Sequence, residues 1–215
     1  LAGRFAAAVG RRALGAATGV LLTASLLTAC GSEDKDAAPA GPSSSAPAAD
    51  SQDTTQAAGV VPLGESKPTR IAIPKIGVSA PVEGVGLLPN GRVEEPPLSR
   101  PNLAGWYSEG VTPGEAGPAV ILGHVDANKK PAVFYRLKEL TKGDKIQITR
   151  EDGSTVTFAV TELKRVDKNA FPHQQVFGEQ LDHAALRLVT CGGAFDPQSG
   201  HYKDNLIVYA TMVAA

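Results

Sequence analysis

The stretch Leu186-Arg187-Leu188-Val189-Thr190-Cys191-Gly192-Gly193 decides how this chain is read. Its apolar, partly β-branched run describes a buried strand that ends by presenting a thiol at its rim. Gly192 and Gly193 then release the chain from strand geometry and let backbone N–H groups come close to whatever Cys191 holds. The thiol has two readings. It is a nucleophile at a strand end, or it is a small core hydrophobe, since free cysteine is among the most buried residue types.

A second strand end bears on that choice. Ala119-Val120-Ile121-Leu122 is apolar throughout and stops at Gly123-His124-Val125-Asp126, so its placement mirrors that of Cys191. By strand alternation His124 shares a face with Val120 and Leu122 and projects at the same kind of rim. With a free pKa of about 8.5, a thiol is only slightly ionised at neutral pH, so a catalytic cysteine needs a nearby base. His124 is placed to be one, or it is a structural histidine at a strand end. His173 and His183 lie in polar or helical surroundings and His201 in a glycine-rich loop, where a solvated histidine is expected.

Outward from these two strand ends, the folded part is expected to start at Thr69. Arg70 to Val78 alternates, Pro81 to Val85 does so more loosely, and Asn90-Gly91 marks a hairpin turn. The Pro- and Gly-rich passage from Glu95 to Gly117 holds Trp106 and Tyr107, which read either as a loop pinned to the core or as a groove wall. Lys145 to Thr149 and Thr155 to Val166 form a hairpin through Glu151-Asp152-Gly153-Ser154. Phe171 to Leu181 holds a helical turn or two, Gly192 to Asp204 reads as a loop, and Asn205 to Ala210 is a last strand. About eight short strands without a long amphipathic helix predict a mostly β fold, a compact antiparallel barrel or sandwich.

Composition narrows the function classes. The 215 residues carry 21 Lys+Arg against 22 Asp+Glu. Setting aside Arg4, Arg11 and Arg12 leaves 18 basic against 22 acidic residues, a net charge of −4. That balance gives no electrostatic basis for nucleic-acid binding. No phosphate-binding glycine loop is found.

The amino-terminal third divides differently. Residues 1–30 place arginines ahead of an uncharged run from Ala13 to Leu27, the layout of a secretory signal, and the run is short for a bilayer-spanning helix of about 20 residues. Leu27-Thr28-Ala29-Cys30 resembles the bacterial lipobox, which makes Cys30 a lipidation site and not a disulfide partner for Cys191. Residues 31–68 are rich in Ala, Pro and Ser and are expected to be a disordered linker, with an r.m.s. span on the order of 30–35 Å. Residues 69–215 are then expected to form the folded domain that carries His124 and Cys191.

The motifs themselves carry a family resemblance. Leu188-Val189-Thr190-Cys191 resembles the Leu-x-Thr-Cys of sortases, the cysteine transpeptidases of Gram-positive cell surfaces, and Gly123-His124 resembles the family's histidine. Ile71 to Val82 looks like the opening strands, and Phe134…Leu137…Leu140…Gly143-Asp144 like the segment after the histidine. Gly-His-Val-Asp, Thr-Cys-Gly-Gly-Ala-Phe-Asp and His-Tyr-Lys-Asp-Asn most resemble the class F branch of actinobacteria. The resemblance implies an eight-stranded sortase-type barrel with short helices. In it Cys191 attacks the Thr–Gly bond of an LPXTG-like sorting signal, and His124 serves as general acid and base. An amine, commonly a peptidoglycan precursor, resolves the acyl-thioester. Thr190 would help shape the substrate groove, and the resemblance implies no metal or organic cofactor for the chemistry. The setting implied is extracytoplasmic, membrane-anchored through the amino-terminal segment and facing the cell wall.

One departure stands out. Sortases usually carry an arginine on the last strand, and no arginine follows Cys191 here. Asn205 falls at or beside that position with Lys203 two residues earlier, as oxyanion or substrate-binding candidates. Arg187 shares a strand face with Cys191 but lies about 13 Å away along the strand, and Arg100 or Arg136 could enter from elsewhere. The missing arginine leaves a second function class open, a sortase-like lipoprotein that binds peptides without processing them. A transpeptidase of peptidoglycan cross-links ranks last, because Thr-Cys-Gly-Gly does not resemble the Ser-His-Gly-Cys of that family.

Overall fold

The computed structural model describes residues 60–214, so the expected leader, the lipobox Cys30 and most of the linker lie outside the described residues. Strands β1 (Pro68–Ile73), β2 (Val78–Val85), β3 (Ala104–Tyr107) and β4 (Gly117–Leu122) come first. The two-residue strands β5 (Asp126–Ala127) and β6 (Lys130–Pro131) form a small ribbon. Then come β7 (Lys145–Arg150), β8 (Thr155–Asp167), the short helix α1 (His173–Phe177), β9 (Ala184–Asp196) and β10 (His201–Val213). Eight of the strands close into a barrel in the order β1-β2-β3-β4-β9-β10-β8-β7. The expected mostly β, eight-stranded barrel with short helices is what is found.

The interior follows from alternation. In β8, Val156, Phe158 and Val160 point inward and are buried, while Thr155, Thr157 and Ala159 alternate outward. Ile71, Ile73, Ile121, Ile146, Ile148, Leu186 and Leu188 meet them from the other strands, with Phe134 and Leu137 from the segment after β6. Full burial of each such side chain stabilises by about 1.5–3 kcal/mol. Trp106 belongs to this interior and donates its indole N–H to the Val111 carbonyl at 3.1 Å, whereas Tyr107, one residue on, faces out against Phe177. The core reading of Trp106 is therefore the right one.

Three local expectations change. The alternating run from Arg70 is interrupted by a 3-10 turn, Pro74–Ile76, because Pro74 opens the turn and Gly77 closes it in the left-handed region at φ 68°. Folded structure also reaches upstream of Thr69. Leu63 N–H donates to the Gly114 carbonyl at 2.8 Å, Ser66 N–H to the Thr112 hydroxyl at 3.0 Å, and the buried Arg150 to the Gly64 carbonyl at 2.6 Å. Residues 60–67 thus strap one end of the barrel. Finally, the expected loop from Gly192 to Asp204 is the arm of a β-hairpin, since β9 runs to Asp196 and β10 starts at His201. A T-shaped Phe195–Tyr202 pair, centroids 5.3 Å apart, holds its two sides together.

Among the described residues no helix is long and apolar enough to cross a membrane.

Candidate active site

Strand β9 is buried on both faces. Leu186, Leu188 and Thr190 turn into the barrel, while Arg187, Val189 and Cys191 turn outward beneath the connection between β8 and β9, which contains α1. A strand covered on both sides reads as continuously apolar, which is why alternation is faint in its sequence. The outward face also holds Val120 and Leu122 from β4, Ile207 and Tyr209 from β10, and Val176 and Phe177 from α1. Cys191 sits at the upper end of this face, where the cover thins and the thiol is half-buried.

His124 arrives at the same level. β4 runs parallel to β9 with Leu122 opposite Val189, so counting two residues past that pair sets His124, just beyond the end of β4, level with Cys191 in β9. Gly123 N–H still donates to the Val189 carbonyl at 3.1 Å, which keeps the two strands together up to the histidine. Only glycine fits there, because a Cβ at Gly123 would lie 2.5 Å from the ring of the fully buried Phe134 and 2.7 Å from Val133. The His124 carbonyl accepts from Phe134 N–H at 3.0 Å. Its ring Nε2 lies 2.6 Å from the Pro96 carbonyl. A carbonyl only accepts, so Nε2 carries the proton and Nδ1 is left to exchange one. Pro96 is itself buried, with its ring over Gly105, where a Cβ would lie 3.0 Å from it.

The other candidates separate. Asn205 lies directly opposite Cys191 in the antiparallel β9–β10 register, so the two side chains share a face. Lys203 falls in the register shift between Tyr202 and Asp204 and is exposed on the hairpin arm, where its charge bears on Asp196. Thr190, expected at the groove, faces the barrel interior opposite Leu206, because alternation turns it away from Cys191. Its hydroxyl is buried without a hydrogen-bond partner among the described residues. Each of the three arginines is committed elsewhere. Arg100 forks onto Glu83 with two bonds of 2.7 Å, Arg136 pairs with Glu139 at 2.7 Å, and Arg187 pairs with Glu179 at 2.7 Å while stacking on Tyr209. A hollow of about 390 Å³ opens beside Arg187, at the far end of the strand face from the thiol.

Sequence reasoning missed the group that does touch the thiol. Lys168 Nζ lies 3.6 Å from Cys191 Sγ. Lys168 opens a 3-10 turn, Lys168–Ala170, capped by Asp167, whose carboxylate accepts from Asn169 N–H at 2.7 Å. The available signal was weak: a lysine just beyond a long strand is ordinarily a solvated residue. Burial pushes the Cys191 thiol above its ordinary range, Glu95 and Asp126 push it further up, and Lys168 pulls it down. The Asp126 carboxylate accepts from the Tyr202 hydroxyl. Asp126 is aimed by the β5–β6 turn, in which Asn128 and Lys129 both take left-handed φ values of 52° and 63°, the geometry of a tight two-residue hairpin. Among the described residues no cluster of His, Cys, Asp or Glu could hold a metal ion.

A half-buried thiol, a histidine with one free ring nitrogen, an ammonium and an amide on one surface can support acyl transfer through a thioester. Comparison with known proteins points the same way. Residues 71–213 match the sortase domain. Sortase C-1 from Actinomyces oris superposes with a TM-score of 0.53 at 21% identity, over 68% of this chain and 73% of that one. Sortase A from Corynebacterium diphtheriae gives 0.54 at 19% identity, over 71% and 63%. The sortase D5 transpeptidase of Clostridium perfringens gives 0.50 at 26% identity, over 69% and 79%. No curated protein matches the chain in sequence.

Proposed function

The chain belongs to the sortase family, and from that premise we propose that it is a cysteine transpeptidase that cleaves an LPXTG-like sorting signal between Thr and Gly. The observation that carries this reading is the level placement of His124, two residues beyond the end of β4, and Cys191, within the parallel neighbouring strand β9. The Cys191 thiol gives its proton to Nδ1 of His124 as the sulfur attacks the threonine carbonyl, and the C–N bond to glycine breaks as His124 passes that proton to the departing amine. An acyl-thioester is left on Cys191. An incoming amine, of the kind a peptidoglycan precursor offers, then attacks that carbonyl and gives a proton to His124, and the C–S bond breaks. Asn205, opposite the thiol, is placed to donate a neutral hydrogen bond to substrate.

The Gly123 to Asp126 and Thr190 to Asp196 motifs favour the class F branch. Cys30 as a lipidated anchor, a linker after it and a barrel facing the cell wall complete the organisation. The experiment is intact-protein mass spectrometry of the chain with an LPXTG peptide, with and without excess amine. An acyl adduct on Cys191 is expected, discharged by amine, absent in Cys191→Ala and depleted in His124→Ala. Transpeptidation product from Cys191→Ala would overturn the reading. Clear peptide binding with no thioester across several LPXTG variants would favour the second class, a peptide-binding lipoprotein, for which the absent last-strand arginine is the motivation.

A further inference from the structure

We propose that Lys168 is a catalytic residue, the cation that holds the Cys191 sulfur as a thiolate during attack and departure. The proposal rests on the transpeptidase reading for its substrate, but its geometry stands without it.

The charges around the sulfur are few and can be named by element. The passage between β2 and β3 brings Glu95, the loop after β4 brings His124, and β5 brings Asp126 with the Tyr202 hydroxyl of β10 donating to it. The turn after β8 brings Lys168. Two carboxylates therefore oppose thiolate formation, and among the described residues the cation bonded to the sulfur is Lys168, at 3.6 Å. The arginines are tied to carboxylates elsewhere and Lys203 sits on the hairpin arm.

The placement is built into the sheet. β10 lies between β8 and β9, so Val166, Asn205 and Cys191 form one row across three strands, and Asp167 lies opposite Asp204 on the next. β8 ends there, and the Asp167 cap turns the chain so that Lys168 reaches over β10 to the sulfur. An ammonium in that position has no planar fork to orient a carbonyl, but it acts on a sulfur as a point charge. Its field strengthens as a bound peptide displaces water from the half-covered site.

The test compares the chain with its Lys168→Met and Lys168→Arg variants. Alkylation of Cys191 by iodoacetamide is followed against pH, with peptide mapping to separate it from Cys30. Thioester formation with an LPXTG peptide is measured beside it. Loss of the charge should shift the alkylation curve to higher pH, slowing reaction at neutral pH about tenfold, and slow acylation roughly tenfold to a hundredfold. Lys168→Arg should restore most of both. Superimposable alkylation curves for the parent and Lys168→Met would overturn the proposal. So would an acyl group recovered on Lys168 as a hydroxylamine-stable amide, which would make the lysine a nucleophile. If the parent forms no thioester, the transpeptidase reading fails, while the alkylation curves still decide the role of Lys168.

Discussion

Arg187 and Lys168 lie at opposite ends of the outer face of β9 and its neighbours, and they are held in different ways. Arg187 is buried, pairs with Glu179 at 2.7 Å, donates to the Leu186 carbonyl at 3.3 Å and lies 4.6 Å above the Tyr209 ring. Lys168 is exposed and, among the described residues, its side chain bonds to a sulfur. The connection from β8 to β9 supplies Lys168, at its start, and Glu179, the arginine's partner. What separates the two ends is satisfaction: the arginine's charge is spent on fixed partners, whereas the lysine's is matched only when the thiol ionises. The first arrangement holds structure, and the second is set up for chemistry.

The largest expected effect tests that division by stability. Arg187→Ala removes the stack on Tyr209 and strands Glu179, and should destabilise by about 2–4 kcal/mol; the partly exposed Glu179 keeps this below the upper range for buried pairs. Thermal unfolding should register a fall of roughly 5–15 °C. Lys168→Met should stay within about 0.5 kcal/mol of the parent. A stable Arg187→Ala protein, or a Lys168→Met protein that unfolds early, would erase the distinction.

The same contrast explains what the sequence disclosed. The barrel was legible because β-branched and apolar runs such as Val156 to Val160 alternate cleanly, and His124 and Cys191 were legible because each follows an apolar run and sits beside a glycine, although β9 itself runs on past Gly192 to Asp196. The hairpin arms from Gly192 to Asp204 were not. Their pairing depends on Phe195 against Tyr202 and on a register shift at Lys203, cross-strand features with no local period. Lys168 was invisible for the same reason: it meets Cys191 across an intervening strand, 23 residues away in sequence. Counting four residues of strand did place Arg187 too far from the thiol, and the fold gives that arginine other partners. Thr190 fell on the wrong side because the motif, not the alternation, had assigned it to the groove.

A second prediction sharpens the reactive end. His124 is aimed by a single bond, from Nε2 to the Pro96 carbonyl at 2.6 Å, and Pro96 is held by burial of its ring over Gly105. Pro96→Gly removes the ring and frees the backbone. Acylation by a sorting peptide should fall about tenfold, a fraction of the full range for general acid–base catalysis, while alkylation of Cys191, which does not use the histidine, should be unchanged. Imidazole ¹⁵N spectra at a pH where the ring is neutral should show the Nε2–H tautomer in the parent and a mixture in the variant. An unchanged tautomer together with an unchanged rate would mean that other groups orient the ring.

The smallest expected effect concerns the carboxylate that works against Lys168. The Tyr202 phenol is pushed up to about 12, chiefly because it donates to Asp126. An ordinary tyrosine titrates at about 10, so between those values the unfolded chain loses this proton while the folded chain keeps it. The contribution of Tyr202 to stability is therefore complete below about pH 10 and lost as pH rises toward 12. Difference titration against Tyr202→Phe at the phenolate absorbance isolates the group from the other tyrosines. Asp126→Asn should return the Tyr202 midpoint toward 10 and, by removing one of the two carboxylates that raise the thiol, move the Cys191 alkylation curve to lower pH, speeding the reaction at neutral pH about two- to threefold. That shift is opposite in sign to the one expected for Lys168→Met. Two charge removals that moved the curve in the same direction would mean that solvent access and not electrostatics sets the reactivity of the thiol.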